Sequence, residues 1–115
     1  MGGGPAGLSA ALRLAALQQQ FDRAPLSIAV LEKARENGAH LLSGAVLDPS
    51  ALDELIPDWK ERGAPLDVPV TDDQIYFLTQ KRKLRFPITP PPLRNHGNYV
   101  VSLNRFVKWL AAQVE

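Results

Sequence analysis

The sequence contains no cysteine, which excludes disulfides, thiol nucleophiles and thiolate ligands for a metal or cluster from this chain. Its two histidines, His40 and His96, are far apart and lack metal-ligand spacing around them. The formal net charge is only +1, so the overall charge does not point to nucleic acid. No run of about eighteen apolar residues predicts a transmembrane helix, and no signal-peptide pattern opens the chain.

What is present begins with Gly-Gly-Gly-Pro-Ala-Gly at residues 2–7, which fits the dinucleotide-binding pattern G-x-G-x-x-G. In this pattern Gly2 makes the tight turn out of a strand, and Gly4 lets a pyrophosphate approach the backbone. Gly7 lets the following helix lie close to the sheet. That helix offers free N–H groups and partial positive charge to phosphates. The predicted binding residues of the loop are Gly2, Gly4, Pro5, Ala6 and Gly7.

Alone, this pattern is weak, because glycine clusters at a chain start also occur as flexible linkers. The residues that follow strengthen it. Apolar residues at helical spacing predict a helix over residues 5–20, and the apolar run 26–31 predicts a strand buried on both faces of a parallel sheet. Glu32 ends that strand, near the roughly 20-residue spacing of the acid that binds a ribose hydroxyl. A solvated strand end is the alternative for Glu32.

The second half of the chain predicts short elements between proline-rich loops. Asp48 or Ser50 can cap a short helix that ends at Pro57. Residues 74–87 alternate like a β-hairpin, and residues 99–101 predict a strand. Ser102 is expected to cap a final helix, whose apolar face is formed by Leu103, Phe106, Val107, Leu110 and Val114.

Basic residues cluster on the predicted hairpin and just after it. They are Lys81, Arg82, Lys83, Arg85 and Arg94. Two interpretations stay open: a solvated hairpin tip, or a docking patch for an acidic partner protein or anionic lipid headgroups. We interpret Trp59 and Trp109 as packing residues and residues 95–98 as a turn.

The run from Gly2 to Ala11 resembles the FAD-binding start of the glutathione-reductase and aromatic-hydroxylase superfamily. Further blocks, in order and across nearly the whole chain, resemble the electron transfer flavoprotein–ubiquinone oxidoreductase family. These blocks are Glu32-Lys33-Ala34, Gly38-Ala39-His40, Leu42-Ser43-Gly44-Ala45, Leu47-Asp48-Pro49, Pro57-Asp58-Trp59-Lys60, Gly63-Ala64-Pro65-Leu66, Pro69-Val70-Thr71 and Asn95-His96-Gly97-Asn98-Tyr99.

The resemblance implies an α/β fold: a Rossmann-like FAD-binding domain with the start of a β-rich inserted region. It implies electron transfer from reduced electron transfer flavoprotein, through FAD and a [4Fe-4S] cluster, to ubiquinone at an inner bacterial or mitochondrial membrane, which the intact protein contacts peripherally. The cluster ligands are not in this chain, since it has no cysteine. No nucleic-acid partner is expected. Alternatives are a geranylgeranyl-reductase-like or hydroxylase-like flavoprotein, or a truncated, non-catalytic chain.

The loop after Glu32 is expected to run along the FAD. Ser43 and Gly44 are predicted to hydrogen-bond it, with an ordinary turn as the alternative. Lys33 is predicted to neutralise a phosphate or to be solvated. His40 is predicted to contact the flavin or to be merely structural. No catalytic residue or metal ligand is predicted, because the flavin carries the chemistry in such enzymes.

Three segments are predicted: a partial FAD-binding domain at residues 1–70, a hairpin and strand of the inserted quinone domain at 71–102, and a returning helix at 103–115. The strand that should lead into Gly2 is missing, and the sequence ends within a predicted helix. We therefore expect a fragment with an incomplete sheet and open apolar surface.

Overall fold

The computed structural model describes residues 2–21, 24, 26–41 and 44–114. It is a mixed structure of helices and sheet, in agreement with the predicted α/β class. In chain order its elements are α1 (Pro5–Gln20), β1 (Ala45–Leu47), α2 (Ser50–Leu55), β2 (Val68–Pro69), β3 (Tyr76–Leu78), β4 (Lys83–Arg85), a 3-10 helix (Pro91–Leu93), β5 (Tyr99–Val101) and α3 (Leu103–Ala112). Within the described ranges, no helix is long and apolar enough to cross a membrane.

The core is built around α3, whose apolar residues recur at helical spacing. Phe106, Val107 and Leu110 are buried on one face, as that spacing predicted. This face belongs to one cluster with Leu8 of α1 and Leu52 of α2. Burying apolar side chains is the main favourable term in folding. The packing of α3 against α1 and α2 therefore brings residues from near both ends of the chain into one core.

Trp59, which follows α2, is buried in the core, as its interpretation as a packing residue predicted. It is 4% exposed, and its ring meets Tyr99 edge-on with centroids 5.9 Å apart. Its indole N–H donates to Asp53 Oδ1 at 2.6 Å, which satisfies the ring's polar group. Trp109 is held similarly, since its indole N–H donates to the Arg62 carbonyl at 2.9 Å.

A three-stranded antiparallel sheet carries the strand order β1–β5–β2. Central β5 pairs Val101 with Ala45 of β1, and Val100 with Val68 of β2. β5 runs directly into α3, and Ser102 occupies the predicted N-cap position. Its side chain makes no capping hydrogen bond, however. The helix instead begins on its backbone, since the Phe106 N–H donates to the Ser102 carbonyl at 2.9 Å.

The helix predicted after Asp48 is confirmed as α2. The Asp48 Oδ1 atom accepts hydrogen bonds from the Ser50 hydroxyl at 2.6 Å and the Ser50 N–H at 2.9 Å. These two hydrogen bonds hold the pKa of Asp48 below its ordinary value, and the bond from the Ser50 hydroxyl contributes more than the bond from the Ser50 N–H. α2 ends before Pro57, because Pro has no N–H with which to continue the helix.

The prediction of a buried strand at residues 26–31 is wrong. The segment forms no regular strand, and Leu26 and Leu31 are 60% and 75% exposed. A parallel bridge joins Leu31 to Gly2. A strand buried on both faces needs a packed layer on each side, and the exposure of Leu26 and Leu31 shows that these two residues lack one.

Apolar side chains on the outer face of α1 are also open to solvent. Leu14, Leu17, Phe21 and Leu26 line a groove of about 600 Å³ between the outer face of α1 and the segment that follows it. The buried stripe of the same helix contains Leu8 and Ala11. An open apolar surface is therefore present beside α1.

The predicted hairpin is confirmed as β3 and β4, which pair Tyr76 with Arg85 and Leu78 with Lys83. Its base is tied by Asp73, whose carboxylate accepts hydrogen bonds from the Asn95 N–H at 2.7 Å and the Asn95 Nδ2 at 2.9 Å. The apolar side chains of the hairpin remain exposed: Tyr76, Phe77, Leu78, Leu84 and Phe86.

Candidate cofactor-binding site

The glycine loop leads directly into the N-terminus of α1. Gly4 is the N-cap residue, with extended backbone at φ −83° and ψ 176°, and Pro5 begins the helix. Proline suits this position, because its missing N–H would have no partner in the first turn. No side chain caps the helix, and its first turn has no acidic residue. The partial positive charge of this helix end is therefore available to an anion.

Gly7 and Gly4 have opposite surroundings. A Cβ atom at Gly7 would overlap the Gly2 carbonyl oxygen and lie 2.9 Å from the Gly2 carbonyl carbon. Only glycine therefore allows α1 to approach the backbone at Gly2. A Cβ atom at Gly4 would meet nothing within 4 Å. The space in front of Gly4 is thus open, as close approach of a phosphate requires.

Glu32 lies over the glycine loop, at Gly3. A Cβ atom at Gly3 would lie 2.6 Å from Glu32 Oε2 and 2.9 Å from Glu32 Cβ, and it would overlap Asn37 Oδ1. The pattern G-x-G allows any residue at this middle position, so the sequence analysis did not identify Gly3 or Asn37 as site residues. The signal was visible in part, because three consecutive glycines exceed what the pattern needs.

The Glu32 carboxylate is held in one orientation. Its Oε1 atom accepts a hydrogen bond from the Ala34 N–H at 2.7 Å. The other oxygen, Oε2, is the one that faces Gly3. Glu32 as a residue stays exposed.

The loop that carries Asn37 is anchored by α3, far along the chain. Asn104 Nδ2 donates to the Gly38 carbonyl at 2.6 Å, and Lys108 Nζ donates to Glu36 Oε1 at 2.9 Å. Gly38 has φ +82°, and a Cβ there would lie 3.0 Å from the Asn104 carbonyl oxygen, so glycine suits this position. Nothing local in the sequence signals these contacts, because the partners are so far apart.

Among the other predicted site residues, the three that the structure describes do not join this cluster. Lys33 and His40 are exposed, and in the described part of the chain neither side chain has a recorded hydrogen bond or ion pair. Gly44, at φ +90°, instead lines a cleft of about 260 Å³ with Ser102 and Arg105. Ser43 lies outside the described residues. Its role and those of Lys33, His40 and Gly44 stay predictions.

The cluster suits a ligand that carries both phosphate and neighbouring hydroxyl groups. The open, uncapped end of α1 at Gly4 can accept an anion. Glu32 Oε2 can accept a hydrogen bond from a hydroxyl. Asn37 Oδ1 is buried and has no hydrogen-bond partner in the described structure, so it too can accept one. A pyrophosphate joined to a ribose has these groups.

Over its whole length the chain is similar to part of several longer proteins. It is 53% identical over 115 residues to the mitochondrial electron transfer flavoprotein-ubiquinone oxidoreductase of Dictyostelium discoideum, and 53% identical over 116 residues to that of Bos taurus. It is 49% identical over 118 residues to the probable electron transfer flavoprotein-ubiquinone oxidoreductase of Acinetobacter baylyi.

Each of these alignments covers 100% of this chain, but only 19% of the first two relatives and 21% of the third. The chain thus spans about a fifth of the length of the curated relatives it matches. No protein-family profile matches it. The resemblance drawn from the sequence blocks is confirmed, for mitochondrial and bacterial relatives alike.

Proposed function

We propose that this chain forms part of the FAD-binding portion of an oxidoreductase that transfers electrons from reduced electron transfer flavoprotein to ubiquinone. Its similarity to such enzymes along its whole length supports the reaction. The position of Glu32 over the glycine loop is the observation that carries the cofactor assignment. The fold proposed for the intact domain is Rossmann-like, of the glutathione-reductase and aromatic-hydroxylase type.

In this proposal, FAD supplies the electron-transfer chemistry, and the protein binds and orients it. The N-terminus of α1 binds the pyrophosphate, and Gly4 leaves room for it to approach the backbone. Glu32 accepts a hydrogen bond from a ribose hydroxyl, with Oε2 already turned toward the loop. Lys33, His40, Ser43 and Gly44 are proposed to line the path of the rest of the cofactor.

The other parts of the longer protein belong to the same proposal. A [4Fe-4S] cluster would be held outside this chain, which has no cysteine. Residues 1–70, 71–102 and 103–115 would belong to the FAD domain, the inserted quinone domain and the returning helix. These assignments rest on the family resemblance and on the order of the sequence blocks.

Peripheral contact with the inner membrane is proposed for the longer protein, and the β3–β4 hairpin supports it. Phe77, Leu84 and Phe86 are each more than half exposed. Lys81 and Arg82 are exposed at the tip between the strands. Apolar side chains beside cations suit an anionic lipid surface, because the cations attract the headgroups and the apolar groups leave water.

Flavin binding tests the cofactor assignment. FAD affinity is measured for the 115-residue chain and for a form with about six apolar residues added before Gly2, a typical strand length. Because the apolar side chains of Leu26 and Leu31 are exposed, we expect the extended form to bind FAD more tightly. Glu32→Ala should weaken binding by roughly ten- to a hundredfold, the effect of losing a hydrogen bond to a charged group.

Glu61→Ala is the matched control, since Glu61 is an exposed carboxylate in the turn after α2. It should leave FAD affinity unchanged. Absence of flavin from both forms would contradict the cofactor assignment and favour a non-catalytic chain. If flavin binds but, in the full-length protein, is reduced by NADH or NADPH and not by reduced electron transfer flavoprotein, another reductase or hydroxylase of the superfamily is favoured.

A further inference from the structure

Asn37 presents a polar atom that the fold leaves without a partner. Its Oδ1 atom is buried and accepts no hydrogen bond from the described residues. A buried acceptor without a donor destabilises the folded chain, because it has lost its hydrogen bonds to water. Such an atom in a native structure calls for a physical explanation.

The unpartnered oxygen faces the same point as the Glu32 carboxylate. Asn37 Oδ1 and Glu32 Oε2 both occupy the space where a side chain at Gly3 would begin. Two acceptors cannot satisfy each other, and glycine at position 3 leaves both side chains room to lie there. A ligand with two adjacent hydrogen-bond donors would satisfy both.

Asn37 is also held in this position from both sides. The preceding residue, Glu36, is paired with Lys108 at 2.9 Å, and the carbonyl of the following residue, Gly38, accepts from Asn104 at 2.6 Å. Both anchors belong to α3, which is packed into the core. These contacts hold the loop around Asn37 to α3 before any ligand arrives.

We propose that Asn37 Oδ1 is a second hydrogen-bond acceptor for the ribose diol of an adenine dinucleotide, beside Glu32. The inference rests on the proposed cofactor function and deepens it at the ribose. Adjacent 2′- and 3′-hydroxyls supply two donors, which matches the two acceptors. A 2′-phosphate would place negative charge against Glu32 and would supply no donor, so the pair selects an unphosphorylated ribose.

The test compares Asn37→Leu with the unaltered chain, because leucine has nearly the same size and no acceptor. The ligands are FAD, ADP and the 2′-deoxy and 3′-deoxy forms of ADP. Calorimetry measures their binding to the strand-extended form of the protein. We expect roughly three- to tenfold weaker binding of FAD and ADP, the effect of one neutral hydrogen bond. The effect should disappear for the deoxy form that lacks the hydroxyl bound by Asn37.

The ligand-free stability separates binding from a structural role. Asn37→Leu removes an unsatisfied buried acceptor, so its unfolding temperature should equal or exceed that of the unaltered chain. A fall in unfolding temperature together with a fall in affinity would assign Asn37 a structural role and overturn the inference. Asn98→Leu, in the turn before β5, is the matched control and should leave ADP affinity unchanged.

A double variant distinguishes direct contact from action through Glu32. If Asn37 touches the ribose itself, Asn37→Leu weakens ADP binding further in a Glu32→Ala background. If the second loss vanishes, Asn37 only orients Glu32, and the assignment of Oδ1 to the ligand is overturned. Failure of the unaltered chain to bind FAD or ADP would overturn the proposed cofactor function itself. Normal binding of both by Asn37→Leu would overturn this inference alone.

Discussion

The loop at residues 32–38 and the hairpin at residues 76–85 differ in what holds them. The loop is anchored by side chains of α3, through Asn104 and Lys108, and its acceptors converge on Gly3. The hairpin is formed by hydrogen bonds between its own strands, and its apolar side chains are open to water. A binding geometry thus depends on distant packing, whereas a local strand pair forms without a buried face.

The largest expected effect is on the free energy of unfolding, when a leucine is truncated to alanine either on α3, which anchors the loop, or on the hairpin. Leu110, on α3, is 1% exposed, whereas Leu84, on the hairpin, is 56% exposed. Leu110→Ala should lower the free energy of unfolding by about 2–5 kcal/mol, because it leaves a cavity in the core. Leu84→Ala should change it by less than about 0.5 kcal/mol. Urea unfolding monitored by tryptophan fluorescence measures both.

The same Leu84→Ala variant tests the proposed membrane contact. It should weaken cosedimentation with vesicles that contain anionic lipid, while Leu93→Ala, at the end of the 3-10 helix, serves as the exposed control. Unchanged sedimentation of Leu84→Ala, or binding to an acidic protein but not to vesicles, would exclude a lipid-binding role for the hairpin.

A smaller effect is expected at the glycines, where stability and binding should separate. Gly7→Ala forces a Cβ atom against the Gly2 carbonyl, and such overpacking costs about 1–3 kcal/mol. Gly4→Ala meets open space and has a backbone that any residue adopts, so stability should change by less than about 0.5 kcal/mol. FAD affinity should nevertheless fall in Gly4→Ala, because the methyl group fills the space for the phosphate.

Thermal unfolding and FAD titration of the two glycine variants check this prediction. Equal losses of stability at both positions would mean that α1 does not approach Gly2 as closely as described. Full FAD affinity in Gly4→Ala would place the phosphate elsewhere.

The smallest expected effect is local to the hairpin base and depends on pH. The N–H of Asn95, followed by its side chain, holds the Asp73 pKa below its ordinary value of 3.8. Because the pKa is lowered in the folded state, the stabilisation is complete above the ordinary value and is lost as pH falls through the lowered one. Near neutral pH the two hydrogen bonds from Asn95 to the Asp73 carboxylate should therefore be fully formed.

The amide proton shift of Asn95, followed by NMR, should titrate with a midpoint below pH 3.8. Asp73→Asn should abolish that titration and speed hydrogen exchange at Asn95, whereas Asp72→Asn is the neighbouring control. A titration that persists in Asp73→Asn would assign the pH response to another group.

Several features could be predicted because they depend on neighbouring residues in the chain. α1 and α3 follow from the spacing of apolar residues, and the hairpin follows from alternation around a polar tip. The glycine pattern predicted the opposite needs of Gly4 and Gly7, since both follow from the steric effect of one missing side chain. The family resemblance was readable for the same reason, as its blocks are contiguous.

By itself, the sequence determined the helices, the hairpin and the glycine loop at the uncapped N-terminus of α1, since short-range sterics and periodicity suffice for these. Only the tertiary structure decided which apolar residues are buried, because burial depends on what another part of the chain covers. In the apolar run 26–31, Leu26 and Leu31 stayed exposed. The meeting of Glu32 and Asn37 over Gly3 was likewise decided by packing, because α3 anchors that loop across a long stretch of chain.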